Sequence, residues 1–329
     1  MSETMKAWVH DFTGGPDVLA FRDVAKPLPG ARDVLVQNRA IGLNPVDWKF
    51  VEWGHPDWDW PHVPGVDGAG IVTAVGSDVT HISVGARVAY HNDLVRPGSF
   101  AEFTAIPARA ALPLPDGLTF SAAAALPCPW LTAWQAIEKL PCSQGMVALM
   151  TGASGAVGGA LLQLAVERGF VVHAIASERE HKRVLGLGAA SVTEYRSVDW
   201  IAPLKERFAA QPLDVVFDMV SGDHAASLTP LLGANGHLVC IQDRQETAPL
   251  PAFTTTISCH EVGLNALHGH GHDRHWGAMM TAGAQIAQGF QTGRYDPQIL
   301  EVSDFGDLPG ALQRLKDGPN PGNRVVMLS

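Results

Sequence analysis

The sequence predicts an α/β protein in which a β-rich domain is joined to a doubly wound parallel-sheet domain. Three observations carry this. Short β-rich runs broken by Gly and Pro fill the first 125 residues. Strand, glycine turn and helix then alternate from Val147 onward. Between the first such strand and helix lies the stretch TGASGAVGG. The chain of 329 residues is about two domains' worth by ordinary domain size.

In order along the chain, MKAWV, DVLVQNRAIG, GAGIVTAVG, ARVAY and SFAEFTAI read as strands of an irregular, mostly antiparallel domain. SAAAALPCPWLTAWQAIEKL is helical in propensity, with Pro127 and Pro129 expected to interrupt it. VALMTG, VVHAIAS, DVVFDMV and HLVCIQ follow as buried-type strands, with LLQLAVERG and HKRVLGLGA among the helices between them. Past Glu261 the alternation weakens to a helix near 275–290, a strand in DPQILEVSDF, a helix in LPGALQRLKDG and a last strand, RVVML. This tail is expected to rejoin the first domain. The expected division is therefore 1–125 with 262–329, and 126–261.

Composition narrows the function. Apolar residues make up 46% and charged residues 17%, which suits a globular enzyme rather than a disordered chain. A formal charge of −10 and no basic block argue against nucleic-acid or anionic-membrane partners. The N-terminus lacks the basic start and apolar run of a signal peptide, and no apolar stretch approaches the roughly 18 residues that would span a bilayer. The four cysteines, Cys128, Cys142, Cys240 and Cys259, form no CxxC pair. A reducing cytoplasm is the expected compartment.

The glycine turn is the strongest functional signal. Gly152 precedes Ala153, Ser154, Gly155, Ala156, Val157 and Gly158, a GxGxxG variant with alanine first. Glycines there admit a pyrophosphate to the backbone and let helix and strand pack closely, as in the Rossmann dinucleotide site. The helix N-terminus offers free N–H groups and partial positive charge. An acid at the end of the second strand would favour NAD. This strand ends with Ser177, followed by Glu178 and Arg179. A hydroxyl and a guanidinium suit the 2′-phosphate of NADPH, which is the expected coenzyme; the alternative is that Arg179 and Lys182 form a solvated helix face, and Glu178 argues the other way.

Together with GLNPVDWK (42–49), PHVPGVDGAGIVTAVG (61–76), SVGARVA, GSFAEFTAIPA, LTAWQAI, LGAASVTEYR, DVVFDMVSG and GHLVCI, these residues resemble the quinone oxidoreductase branch of the medium-chain dehydrogenase/reductase superfamily. The resemblance runs through nearly the whole chain. It implies a GroES-like β-barrel catalytic domain, a Rossmann coenzyme domain and a ligand cleft between them. By position, Asn44 resembles the asparagine near the nicotinamide ribose and Thr132 the threonine near the carboxamide. Tyr195 resembles the tyrosine at the 2′-phosphate. Ser221 and Gly222, and Cys240, Ile241 and Gln242, fall at strand ends on the coenzyme edge. A homodimer, paired through CHEVGLNALH as an edge strand, is expected by the same analogy.

Zinc separates this chain from the alcohol-dehydrogenase branch. Asn44 stands near the expected thiolate, and Val66 and Asp67 replace a His-Glu pair. A three-ligand set with an open position is not found by alignment, so the site reads as metal-free. His268, His270 and His272 would share one face of a strand, near His260 and His275. That arrangement suits either a metal site or a polar loop, and His268 is also a candidate to face substrate. Without a Lewis acid, hydride addition is easiest on an acceptor already polarised by conjugation, a quinone or an enone. Asn44, Asp47, Trp48, Trp53, His91 and Trp130 are candidates for the substrate side. Among them Asn44, Trp48 and His91 are the catalytic candidates, with His91 a possible acid. The tryptophans of EWGHPDWDW form either a stacking wall or barrel packing. Asp47 is either a structural hydrogen-bond partner or an acid. Trp53 stands where related enoyl-thioester reductases carry a tyrosine, which favours a quinone or alkenal over an enoyl thioester. The remaining alternative is a coenzyme-binding protein without turnover.

Overall fold

The computed structural model describes residues 3–141 and 144–328, so Cys142 lies outside the described residues. In chain order the first stretch forms β1 (Thr4–Val9), β2 (Ala20–Ala25), β3 (Asp33–Leu43), α1 (Pro45–Trp53), β4 (Asp67–Val75), β5 (Arg87–His91), β6 (Phe103–Pro107) and β7 (Ala111–Pro113). Two helices follow, α2 (Phe120–Ala124) and α3 (Pro127–Glu138). The middle stretch contains β8 (Val147–Met150), α4 (Ala156–Glu167), β9 (Val171–Ile175), α5 (His181–Gly186), β10 (Ser191–Thr193), α6 (Ala202–Arg207), β11 (Leu213–Asp218), α7 (Gly222–Leu228), β12 (Leu232–Cys240) and β13 (Ser258–Glu261). The tail adds α8 (Ala266–His270), α9 (Asp273–Thr292), β14 (Ile299–Asp304), α10 (Leu308–Asp317) and β15 (Asn323–Met327).

Two compact units result: residues 1–131 with 265–329, and residues 132–264. The first break falls inside α3, beyond residue 125 where the change of texture put it. The reason is that Pro127 and Pro129 do not interrupt this helix. Both sit in its first turn, where a missing N–H removes no helical bond. The actual interruption is the pair of residues between α2 and α3.

In the first unit one sheet runs in the order β14-β15-β3-β4-β5-β7, with β6 also paired to β3. β15 lies antiparallel against β3, Val326 opposite Ile41, so the tail does rejoin the first stretch. Val34, Val36, Val72, Val88, Ile106 and Tyr90 fill one core of this unit. A second core gathers Met5, Ala7 and Val9 of β1, Ile41 and Leu43 of β3, Val51 of α1, and Leu308, Leu312 and Leu315 of α10. Gly68 has a packing reason: a Cβ there would fall 2.3 Å from the Tyr90 hydroxyl. That hydroxyl donates to Asn38 Oδ1 at 2.6 Å.

A knot of rings closes one side of this unit. Trp58 stacks on His62 at 3.9 Å between centroids, and its indole N–H donates to the Leu94 carbonyl at 2.6 Å. His10 meets both Trp58 and Trp60 edge-on, and the His10 and His62 backbones exchange hydrogen bonds. Burial, helped by repulsion from His10 and His55, pushes the His62 imidazole down to about 3. Burial likewise lowers His10.

The second unit is an all-parallel sheet in the order β10-β9-β8-β11-β12-β13. Strand order reverses between β8 and β11, which makes their C-terminal ends the natural ligand edge. A buried carboxylate locks that reversal point. Asp218 Oδ1 accepts from the Thr151 hydroxyl at 2.8 Å and from His224 Nδ1 at 2.9 Å. Oδ2 accepts from the backbone N–H groups of Val220 and Ser221 at 3.1 and 2.6 Å, and Thr151 Oγ1 in turn accepts from Met219 N at 3.0 Å. Burial alone would raise the Asp218 carboxyl, but these donors hold it below its ordinary range.

Two outcomes are expected from these networks. A histidine kept neutral by the fold charges more readily when unfolded, so its contribution is complete above about pH 6.5 and falls as pH drops toward about 3. Thermal melts should therefore show loss of stability below about pH 6.5, on the order of a few kcal/mol across the window. His62→Phe, which keeps a ring on Trp58, should flatten that slope, and an unchanged slope would place the acid sensitivity elsewhere. Thr151→Val should lower stability by about 1–3 kcal/mol in denaturant titrations, because it removes the Thr151 donor to Asp218 and leaves Met219 N without its acceptor.

Candidate active site

The coenzyme turn is built as its sequence requires. Gly152 has φ +57°, and a Cβ on Gly158 would fall 2.2 Å from the Gly152 carbonyl. Only glycine lets α4 sit this close to the turn. Ala153 is fully buried, Gly155 is the N-cap of α4, and Ala156 and Val157 open the helix. The N–H groups of this first turn have no helical carbonyl behind them, which is the arrangement that takes a phosphate. The residues present thus fit a dinucleotide: a close-approach turn, free donors and a helix N-terminus at the reversal point of a parallel sheet.

Beside it, Ser177 is buried at the end of β9, and Arg179 stands exposed one residue past Glu178. Glu194 ties this loop to the next. Its carboxylate accepts from the backbone N–H of Glu178 and, at 2.9 Å, from that of Arg196. Those contacts hold Glu194 below the usual carboxylate range. Tyr195, 44% exposed, carries the Arg196 guanidinium 4.9 Å from its ring centroid. Arg183 braces the glycine turn by donating to the Ser154 carbonyl at 2.5 Å. Sequence reading passed over Glu194, Arg196 and Arg183. The available signal was a run of charged residues after β9 and β10, which looks the same as a solvated surface.

At the ends of β11 and β12, Ser221 adopts φ +83°, a conformation costly for any residue with a side chain. Asp218 holds its N–H, and its hydroxyl accepts from Asp243 N at 2.9 Å. Gln245 reaches the Gly222 carbonyl, and Ile241 N donates to the Asp218 carbonyl at 2.9 Å. Ser221, Gly222 and the 240–242 strand end are thereby brought together. Thr132, 8% exposed, belongs to this unit. Asp218 and Thr151 were missed in the sequence, although a carboxylate ending the apolar run VVFD must find partners if buried.

In the other unit, register decides the chemistry. Antiparallel pairing sets Asp67 on β4 opposite His91 on β5 and opposite Gly42 on β3. Asp67 is fully buried. Its Oδ1 accepts from His91 Nδ1 at 2.8 Å, and its Oδ2 accepts from Asn44 Nδ2 at 3.0 Å and Cys128 N at 2.8 Å. With Nδ1 donating, Nε2 is the His91 nitrogen left for a ligand. His91 also borders a small, mostly apolar cavity with Leu112, Leu131, Trp276 and Met279, with room for about one water. His268 Nε2 donates to the His91 carbonyl, 3.2 Å away, and burial pushes its imidazole down to about 4.

Among the sequence candidates, the structure therefore joins Asn44 and His91 through Asp67. Asp47 is structural: it caps α1 by accepting from Asn44 N at 2.7 Å and also takes Val66 N at 3.0 Å. Burial, with repulsion from Asp67, pushes it up to about 8 against these donors. Trp48 packs on the second core, with Lys316 Nζ 5.7 Å from its ring, and is not joined to this network by any contact described here. Trp53 is 64% exposed. Trp130, a candidate for the substrate side, is fully buried against Phe290 and Tyr295.

The histidine-rich segment is not a strand. His268 and His270 lie on helix α8 and His272 caps α9, so residues two apart no longer share a face. The edge strand likewise stops at Glu261. Among the described residues, one group has metal-ligand spacing, and it is not this segment. A carboxylate oxygen of Asp67, a ring nitrogen of His91 and Cys128 Sγ lie within 4.8 Å of one another. Alignment could not find it, because β4, β5 and α3 deliver these residues from distant parts of the sequence.

Comparison with known proteins agrees with this construction. Residues 30–116 match the family described as alcohol dehydrogenase GroES-like domain, and residues 187–326 match the one described as zinc-binding dehydrogenase. Quinone oxidoreductase of Sus scrofa is 33% identical over 248 residues, 74% of this chain and 74% of that protein. Trans-enoyl reductase tazE of Aspergillus terreus is 35% identical over 209 residues, 58% of this chain and 68% of that protein. The structure of an alcohol dehydrogenase superfamily protein from Novosphingobium aromaticivorans superposes with a TM-score of 0.86 at 28% identity, covering 99% of this chain and 100% of that one. With a GroES-like domain, a parallel coenzyme sheet and these relatives, the chain belongs to the quinone oxidoreductase branch of the medium-chain dehydrogenase/reductase superfamily and is an oxidoreductase that uses a nicotinamide coenzyme.

Proposed function

We propose that this protein reduces a quinone or another conjugated carbonyl compound with NADPH and without a metal ion. The observation that carries the reading is the Asp67 carboxylate, already committed to Asn44, His91 and the Cys128 N–H. A cation here would compete with these donors for a carboxylate that has one lone pair left, on Oδ1. Asn44 itself offers an amide that donates, where a metal site would need a ligand. The coenzyme supplies a hydride when bound. In a conjugated acceptor the added charge moves onto oxygen, so the protein needs only to donate there. His91, its Nδ1–H held by Asp67, supplies that proton from Nε2 as the imidazolium, in which both ring nitrogens carry hydrogen.

The reading of NADPH over NADH is supported by Arg179, two residues past Ser177, and by Glu194, which joins the Glu178 loop to the one that carries Tyr195 and Arg196. A second reading, reduction of a carbon–carbon double bond in an alkenal or enoyl compound, is favoured by the likeness to a trans-enoyl reductase. Among the described residues no helix is long and apolar enough to cross a membrane. We further read the protein as a cytoplasmic homodimer. The support is the edge position of β13 in its sheet.

Initial rates with 1,4-benzoquinone, 9,10-phenanthrenequinone, 2-hexenal and crotonyl-CoA test this directly. Chelator-treated protein should oxidise NADPH with quinones at undiminished rate. Fastest turnover with 2-hexenal would move the substrate to the second reading. Activity lost to chelator and restored by zinc would overturn the metal-free mechanism. Arg179→Ala or Tyr195→Phe should raise KM for NADPH about ten-fold, leave kcat and the NADH constants nearly unchanged, and so erase most of the coenzyme preference.

A further inference from the structure

Cys128 has a neighbourhood unlike those of the other described cysteines. It lies in the first turn of α3, a helix of twelve residues, and is half-buried. Its Sγ lies within 4.8 Å of a ring nitrogen of His91 and a carboxylate oxygen of Asp67. Asp67 accepts a hydrogen bond from His91 Nδ1 at 2.8 Å, and Asp67 is itself fixed by Asn44 and by the Cys128 backbone N–H. Thiol, imidazole and buried carboxylate thus stand as a nucleophile, its base and the group that orients the base. The helix N-terminus adds a positive potential at Cys128, opposite in sign to the charge of Asp67. By contrast, Cys240 is buried in the second unit's core, and Cys259 lies within edge strand β13. Burial pushes both of their thiols up, Cys240 to about 11.

We propose that Cys128 is a covalent capture site for conjugated electrophiles, armed by His91 and Asp67. The thiol proton passes to His91. The sulfur electron pair forms a bond to the β-carbon of the electrophile, the carbon–carbon π pair shifts toward the carbonyl as an enolate, and His91 returns the proton to the α-carbon. The net change is addition of S–H across C=C, with nothing oxidised or reduced. The electrophile class is taken from the function proposed above, but capture needs neither coenzyme nor turnover. An enzyme of this kind is then blocked by an acceptor that reaches Cys128 before hydride reaches the acceptor.

The test treats the full chain with N-ethylmaleimide, and separately with 2-hexenal, in the absence of NADPH at pH 7, with intact mass and peptide mapping as readout. Cys128 is expected to be alkylated first, about ten-fold or more faster than N-acetylcysteine under the same conditions. The rate should be the same before and after chelator treatment. His91→Gln should slow the reaction about ten-fold, and Asp67→Asn should slow it too, each checked for folding by circular dichroism. Reaction of Cys128 no faster than N-acetylcysteine overturns the proposal, as does a rate that ignores both substitutions in folded protein. Reaction only after chelation also overturns it and makes Asp67, His91 and Cys128 a metal site. Capture lost while NADPH turnover persists refutes only this inference, and turnover absent while capture persists refutes only the function above.

Discussion

A carboxylate withdrawn from water costs several kcal/mol unless donors fill its lone pairs, and in the first unit that constraint falls on Asp67. Three groups from three parts of the chain answer it: an amide just after β3, an imidazole on β5 and a backbone N–H at the start of α3. Each donor is delivered by something else in the fold. The antiparallel register sets His91 opposite Asp67, and α1 begins at Asn44 because Asp47 closes its capping box. Moving β4 by one residue would turn Asp67 to the other face of the sheet and leave all three donors without their acceptor.

The second unit meets the same constraint in the same way. Asp218 ends a buried strand and gathers a hydroxyl, an imidazole and two backbone N–H groups. The result is a rigid floor at the sheet's reversal point, and the strained Ser221 backbone is held there by one of those bonds. In both units a buried negative charge costs stability and, once satisfied, fixes the residues around it. A pocket needs such fixed walls if chemistry is to depend on its geometry.

Legibility in the sequence followed the range of the interactions. Strand and helix periodicity is local, and the α/β class with a parallel sheet reads correctly from it. Asn44 and His91 were legible as polar residues at strand ends. Asp67 was noticed only as a replacement, since its three partners lie 23, 24 and 61 residues away in sequence. The tryptophans divided for a related reason. Trp53 and Trp130 are equally apolar in composition, yet one is exposed and the other fully buried, because side-chain neighbours and not residue type decide burial. The histidine run misled because alternation with glycine imitates a strand, whereas α8 forms there as a short helical turn.

The pairing of β15 with β3 has a consequence for how the chain is made. β3 is an interior strand, flanked by β15 on one side and β4 on the other. On the flank opposite β4, β6 covers the first half of β3, and the residues that cover the second half, 323–327, leave the ribosome nearly three hundred residues after β3 itself. During that interval residues 132–264 are complete and can fold as a unit. The first unit meanwhile waits with an open, apolar strand edge, the kind of surface that pairs with the wrong neighbour. Completion of this sheet thus waits on a strand made long after the one it pairs with.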